Sequence, residues 1–362
     1  MKILHLYHGV HKNRGVETFL YDLTNGLKDK YEQFLAVPKG KYQDIGLAFN
    51  KVFELNCFSD LKEIVKENNI DVLHVHYTGP ETFHKHDLIK QGDIIYRNNM
   101  LPEDIEETTE NNPYGFVNVF SLWDVFLYDE KGNKIKNPDR PKIIITTHTE
   151  DPLPLYISKP CVDEIVHVSY KNEAKNIQKN TKVITPGVDL TKFFYTTAYA
   201  KQVERLKICF VGSVEKFDAG FMAEIHKDIY KKYDFYFFGE QKHFKSTENI
   251  FFEGKVDNID ERLQQMDVFL YPSTRDSFSI ACLEAMASGL AIIANETVRE
   301  VLDNTALIIE LNQLEKALSD LENVKLRAYL GNKARNRARE LYSLENFLFS
   351  YDSLYQKLKK LA

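Results

Sequence analysis

The stretch DVFLYPSTRDSFSIACLEAMASGLAIIAN, residues 267–295, sets the fold class. An apolar run over 267–271 reads as a buried strand and ends in Pro272-Ser273. Helical character follows over 277–288 and stops at Gly289, and a second apolar strand over 290–294 begins at once. Together these make one βαβ unit with almost no loop, the repeating element of a parallel sheet. Its helix starts just beyond the carboxyl end of a buried strand, where open α/β sheets bind ligands. A helix N-terminus presents unpaired N–H groups and a partial positive charge, which suits an anion such as a phosphate. Asp276 and Glu284 stand eight positions apart. On one continuous helix they would be rotated by roughly 80° beyond two turns, one at the mouth and one about two turns in.

Strands and helices alternate on either side of this unit. In the first half, strands are expected over 2–7, 34–37, 52–55, 72–76, 143–147, 165–168 and 183–184, with helices over 16–28 and 61–67. The series restarts after the polar run 195–205, which reads as a linker. Strands follow over 206–211, 235–238, 250–252, 267–271 and 290–294, with a helix over 220–230. Two consecutive series of this kind predict two doubly wound parallel α/β domains. The boundaries expected are 1–195, completed by an amphipathic C-terminal helix over 344–362, and 203–343. More than sixty residues separate His76 from Ile143, longer than one crossover needs. An insertion over 82–141 is therefore expected, ending in a β-hairpin formed by 123–128 and 134–136 around the turn 129–133.

Composition excludes several classes. The chain has 362 residues, 43% of them apolar, and a net charge of −6, which gives no reason to expect nucleic acid. Cys57, Cys161, Cys209 and Cys282 are scattered, with neither metal-ligand nor disulfide spacing, as in a reducing cytoplasm. No apolar run approaches the ~20 residues of a membrane span, and the start MKILHLYHG reads as a strand rather than a signal peptide. The loop 8–15 lacks Gly-x-Gly-x-x-Gly, which makes a dehydrogenase a poor fit. His74 and His76 fall on one face of a strand, but no third residue is spaced to complete a metal site. The basic run 325–339 reads as a solvated helix face; contact with anionic lipid or a polyanionic acceptor is the other reading. Ser277 and Ser279 are of the type that caps helix N-termini.

Seven segments, in order, resemble retaining glycosyltransferases of family 4, enzymes of the GT-B fold. Residues 283–293, LEAMASGLAII, resemble that family's LEAMA-x-G-x-P-V-I segment, and Asp276-x7-Glu284 its Glu-x7-Glu motif. Gly15-Val16-Glu17 is similar to its Gly-Gly-x-Glu loop, with Arg14 in place of one glycine. Asp71-Val72-Leu73-His74-Val75-His76 resembles its Asp-Val-x-His-x-His strand, and residues 147–151, THTED, the segment bearing an active-site histidine. Pro186-Gly187-Val188-Asp189 followed by Phe193, and Phe210-Val211-Gly212, match two further signatures.

The resemblance implies a GT-B enzyme of two Rossmann-like domains facing across a cleft. It would move a sugar from a nucleotide-diphosphate sugar to a hydroxyl acceptor, a glycan or lipid-linked saccharide, with retention and without a metal or other cofactor. Glu284 would accept from the ribose hydroxyls, Asp276 would contact the donor sugar, and the N–H groups of Ser277, Phe278, Ser279 and Ile280 would hold the diphosphate. His148 would stand near the sugar and the developing charge. Gly15 would let the backbone approach a ligand, with Glu17 beside it. The leaving phosphate would itself take the acceptor proton. The enzyme would act in the cytoplasm or at the inner face of the membrane, as a monomer or homodimer. One departure is marked. Where the family carries Gly-Arg and a later lysine, this chain has Gly212-Ser213, with Lys216 two positions early; Lys216 or Arg275 would have to replace the lost cation. That departure keeps two alternatives open, a nucleotide-sugar epimerase of the same fold and a catalytically weak nucleotide-sugar-binding protein.

Overall fold

The computed structural model describes residues 1–10, 15–56, 60–78, 95–97, 115–117, 126–128, 134–137, 139–153, 162–176, 181–194, 202–214, 219–241, 244–274 and 276–360. The chain forms two compact units, Met1–Thr185 with Leu348–Ala362, and Pro186–Phe347. The first runs β1 (Lys2–Leu6), α1 (Gly15–Leu27), β2 (Glu32–Pro38), β3 (Lys51–Leu55), α2 (Asp60–Asn68) and β4 (Val72–Tyr77). Four short strands follow, β5 (Ile95–Arg97), β6 (Gly115–Val117), β7 (Phe126–Tyr128) and β8 (Lys134–Lys136). Then come β9 (Lys142–Thr147), β10 (Glu164–His167), α3 (Tyr170–Ala174) and β11 (Lys182–Val183). The second unit runs β12 (Lys207–Val211), α4 (Ala219–Ile225), β13 (Asp234–Phe238), β14 (Ile250–Gly254), α5 (Ile259–Leu263), β15 (Val268–Tyr271), α6 (Ile280–Ala287) and β16 (Ala291–Ala294). It continues with α7 (Arg299–Leu302), β17 (Leu307–Ile308), α8 (Leu314–Leu321) and α9 (Val324–Leu341). The last helix, α10 (Leu344–Lys360), starts in the second unit and belongs to the first from Leu348 onward.

Each unit holds one wholly parallel sheet, and the two share a strand order. The first is ordered β11-β10-β9-β4-β1-β2-β3, the second β14-β13-β12-β15-β16-β17. In both, the chain winds outward from its first strand, returns, and winds the other way. The order therefore reverses between β1 and β4 in one sheet and between β12 and β15 in the other. Ligand crevices of open α/β sheets lie beyond the carboxyl ends of the strands at such reversals. Strands buried on both faces read as continuous apolar runs, as β15 and β16 do; β4 is also buried at every position but carries two histidines.

The two faces of the first sheet differ in chemistry. Alternation along the strands puts Leu4, Leu6, Leu73, Val75, Ile143 and Ile145 into one apolar core. The opposite face carries His5, His74, His76 and Thr146, all fully buried. Parallel pairing sets His5 of β1 directly beside His74 of β4, and His76 beside Thr146 of β9. The C-terminal helix supplies tyrosine hydroxyls to this polar layer. Tyr355 Oη lies 2.8 Å from His74 Nδ1, and Tyr351 Oη lies 2.9 Å from Thr146 Oγ1. That is how α10 completes the first unit.

The expected strands are present, and several boundaries moved for identifiable reasons. The α6 helix begins at Ile280 rather than at 277, because Ser279 has extended φ/ψ and caps it, its Oγ accepting from Cys282 N at 3.2 Å. The helix expected over 220–230 is shorter: α4 ends at Ile225, and Asp228–Tyr230 form a separate 3-10 turn. The hairpin is present as an antiparallel pair of β7 and β8, and β5 pairs antiparallel with β6, which the sequence did not announce. Most of the rest of the insertion, the turn at 129–133, most of the linker over 195–205, Arg14, Cys57 and Cys161 lie outside the described residues.

The units divide at Thr185/Pro186, before the expected linker. Val188 N donates to Tyr342 O at 2.8 Å and Leu344 N to Val188 O at 3.0 Å, so the Pro-Gly-Val-Asp segment is stitched to the second unit. Gly187 lies so close that a Cβ there would sit 2.8 Å from Leu344 Cα. The basic run of α9 is neither a free face nor a patch along its length. Arg327 is buried and donates to the carbonyls of Leu321 and Glu322. Arg335 donates to those of Phe193 and Ala287, and Arg337 to those of Val301 and Glu300. Lys325 and Arg339 remain exposed.

Candidate functional site

The order reversal of the second sheet is flanked by the loops after β12 and β15. After β15, Ser273 is fully buried and its carbonyl accepts from Asn295 Nδ2 at 2.8 Å, which ties this loop to the end of β16. Asp276 follows in the loop and not on the helix. Its Oδ2 accepts from the Tyr271 hydroxyl, and its Oδ1 from Phe278 N at 3.3 Å. The rotation expected from helical spacing is thus corrected: Asp276 lies in the loop ahead of α6 and only Glu284 is on the helix, so 100° per residue does not relate the pair. Burial and the neighbouring Asp276 carboxylate push the Tyr271 phenol well above its ordinary pKa, so it stays a donor.

The residues assigned to the helix mouth divide by role. Phe278 is buried, with its ring edge-on to Tyr342 at 5.6 Å, so its side chain packs. Ser279 is buried and its hydroxyl is the helix cap. Ser277 is half-buried in the loop ahead of the helix. The free N–H groups of α6 therefore begin after Ser279. Along α6, Ile280, Ala281 and Glu284 are half-buried while every other position is buried. Those three share one stripe of a helix, so the helix's single carboxylate lies on its one accessible stripe.

Gly212 follows β12 with φ 139°, a conformation that disfavours L side chains, and its N–H donates to Phe238 O at 2.8 Å. A Cβ on Gly239, which follows β13, would lie 2.0 Å from Gly212 O. The two strand ends thus meet backbone to backbone, a contact no sequence pattern flagged. Ser213 follows, half-buried. Lys216 and Arg275, the two cations considered as replacements for an arginine, lie outside the described residues.

In the first unit the reversal lies between β1 and β4, and the expected residues gather there. His148 follows β9, its N–H donating to Tyr77 O at 2.7 Å. Its Nε2 lies 3.1 Å from His76 Nδ1. The Phe19 ring of α1 meets His148 edge-on at 4.7 Å. Burial, with a smaller contribution from His8, lowers its pKa to about 3, so the ring is neutral at neutral pH. His8 Nδ1 is 3.1 Å from Thr78 Oγ1, which brings the loops after β1 and β4 together beside it. Gly15 is the first residue of α1 and is exposed, without the left-handed φ expected of a tight-turn glycine. Glu17 is buried in the first turn of α1, where its Oε1 accepts from the Tyr7 hydroxyl at 3.5 Å.

The sequence offered no third partner for His74 and His76. The sheet supplies one in His5, because β1 and β4 pair in register; ring nitrogens of the three lie within 4.8 Å of one another. Each of those nitrogens already has a hydrogen-bond partner, however. His5 faces His76 and Gln33, His74 faces Tyr355 and Thr146, and His76 faces His5 and His148. The trio is a satisfied polar layer. The signal that could have found His5 was a histidine inside an apolar strand, KILHL, out of phase with its leucines.

Two parallel Rossmann-like units with the same strand order define the GT-B fold. Residues 205–323 match the family model "Glycosyl transferases group 1". A curated relative, N-acetyl-alpha-D-glucosaminyl L-malate synthase of Bacillus anthracis, is 20% identical over 332 residues, 84% of this chain and 79% of that protein. Among solved structures, a glycosyltransferase from Rickettsia africae ESF-5 superposes with a TM-score of 0.69 at 14% identity, over 100% of this chain and 99% of that one. Anabaena HepE in complex with UDP-glucose superposes with a TM-score of 0.65 at 12% identity, over 99% of this chain and 100% of that one. Among the described residues no helix is long and apolar enough to cross a membrane.

Proposed function

We propose that this protein is a retaining glycosyltransferase that moves a sugar from a nucleotide-diphosphate sugar to a hydroxyl acceptor. The observation that carries the reading is the loop–helix unit 272–288. A capped helix N-terminus and an accessible carboxylate, Glu284, stand beside a locked carboxylate, Asp276, at the order reversal of the sheet. This unit falls inside the segment that matches the glycosyltransferase family model. The N-terminus of α6 suits a diphosphate. Glu284 can hold two ribose hydroxyls as donors. Asp276 is aimed by two hydrogen bonds and is suited to orient sugar hydroxyls. HepE was solved with UDP-glucose, which puts UDP-sugars first in a donor panel.

On this reading the first unit, with His148, binds on the acceptor side, and the acceptor is a glycan or lipid-linked saccharide. His148 is a neutral hydrogen-bonding group. Its lowered pKa makes it a poor base, in keeping with a leaving phosphate that takes the acceptor proton itself. Helix termini and side chains are proposed to neutralise the diphosphate without a divalent ion. Ser213 in the position expected to hold an arginine favours one second reading, a nucleotide-sugar binder of weak activity, since one lost electrostatic donor can cost on the order of 10²–10³ in rate.

The experiment is a melting-temperature screen against nucleoside diphosphates and their sugar conjugates, followed by NMR of the anomeric configuration of the product released from the best donor. A shifted melting temperature with a retained anomer is the expected result. No shift with any nucleotide removes the donor site, and an inverted anomer removes retention. Added EDTA is expected to leave the rate unchanged.

A further inference from the structure

A line of hydrogen bonds runs through the polar face of the first sheet from α1 to His148, and the chemistry at its far end fixes the direction of every step. The Thr24 carbonyl can only accept, so the Gln33 side chain must turn its NH₂ toward it; Nε2 lies 2.8 Å from Thr24 O. The Gln33 amide oxygen then faces His5 Nε2 at 3.2 Å, and that nitrogen has to be the donor. A neutral imidazole carries one N–H, so His5 Nδ1 is bare. It lies 3.0 Å from His76 Nε2, which must donate in turn. His76 Nδ1 is left bare and lies 3.1 Å from His148 Nε2. The N–H of His148 is therefore on Nε2, and its Nδ1 carries a lone pair. Among the described residues no hydrogen bond is recorded for that Nδ1, and the ring is half-buried where the sheet ends.

We propose that Gln33, His5 and His76 are positioning residues that hold His148 as its Nε2–H tautomer, so that Nδ1 is presented as an acceptor for a ligand hydroxyl. The direction of the line requires neutral rings. Burial lowers His5 to about 4 and His148 to about 3, and takes His76 well below the ordinary histidine range. Gln33, His5 and His76 are completely buried, so water does not compete for their bonds. His74 stands outside the line, its two nitrogens held by Tyr355 and Thr146. The ligand is a polyhydroxyl compound, and this clause rests on the glycosyltransferase reading. A buried acceptor matched to a hydroxyl rejects the analogue lacking it, because the lone pair is then left unpaired.

The test does not require turnover. Two-bond proton–nitrogen correlation NMR on the full chain labelled with ¹⁵N-histidine reads each tautomer directly, with His148→Asn used to assign the signal. Nε2–H on His5, His76 and His148 together is the expected result; Nδ1–H on any of the three overturns the proposal. A zinc ion found in stoichiometric amount in the purified protein also overturns it, because metal ligation would displace these protons. His76→Gln keeps the direction of the line, since its NH₂ can donate to His5 while its oxygen accepts from His148, and it should preserve the His148 Nε2–H signal. His76→Phe removes both partners and should release His148 into a mixture of tautomers; an unchanged signal there overturns the relay. If the tautomers are as stated and no nucleotide sugar binds, the positioning stands and the glycosyltransferase reading falls.

Discussion

The Tyr271 hydroxyl donates to Asp276 Oδ2, and this bond ties the carboxylate of the loop after β15 to the strand itself. Tyr271 is the last residue of a fully buried strand, so its ring cannot move without disturbing the sheet. Asp276 inherits that rigidity, and the Phe278 N–H fixes its second oxygen. Tyr271→Phe should keep the strand and release one oxygen of the carboxylate. Misplacing a group by about 1 Å can cost roughly 10²-fold in rate, so turnover should fall by at least about tenfold while nucleoside diphosphate affinity stays within about twofold. Steady-state kinetics beside calorimetric titration separates the two, and equal loss of both would assign the bond to stability instead.

Glu284 should behave in the opposite way. It lies on the accessible stripe of α6, so truncation leaves no buried cavity. Hydrogen bonds to a charged group are worth about 1.5–3 kcal/mol each. Glu284→Ala should therefore raise the dissociation constant of the nucleoside diphosphate by roughly 10–100-fold, with a small change in melting temperature. An unchanged constant removes the ribose role.

Much of the fold was legible because buried parallel strands announce themselves as apolar runs, and β9, β15 and β16 did. The site was less legible. Residues 277–279 were taken into the helix because nothing in SFSIACLEAM marks which serine caps it. The structure chose Ser279, and Asp276 then fell into a loop where its partner is a tyrosine five residues earlier. His5 was invisible beside His74 because its position follows from the register of β1 against β4, a tertiary fact. The unit boundary moved for the same reason, since the bond between Val188 and Tyr342 spans most of the second unit. The arginines of α9 looked like surface charge because their partners are backbone carbonyls, which carry no sequence signal.

Gly239 tests the contact between the ends of β12 and β13. A methyl group there would sit 2.0 Å from Gly212 O, and the φ of 147° is already unfavourable for alanine. Backbone atoms cannot step aside as a flexible side chain can. Gly239→Ala should destabilise the second unit by about 2 kcal/mol or more, lowering its melting temperature by roughly 4–8 °C. Differential scanning calorimetry measures this, and a change under about 1 °C would show that the strand ends separate freely.

The buried histidines make stability fall in mild acid. His5 is completely buried, and desolvation lowers its pKa from the ordinary 6.5 to about 4; His74 and His76 are lowered well below 6.5 for the same reason. Between those folded values and 6.5 the unfolded chain binds more protons than the folded one, so stability rises with pH across that window and is lost as pH falls through it. Above about pH 7 both states are neutral and the effect vanishes. Each fully unbalanced histidine contributes a slope of about 1.4 kcal/mol per pH unit. Urea titrations should show a falling midpoint from about pH 6.5 downward, at an unchanged m-value. His5→Gln can still meet Gln33 and His76 and carries no titrating ring. It should flatten the slope by about one histidine's share, and an equal slope in both proteins would show that His5 is already protonated when folded.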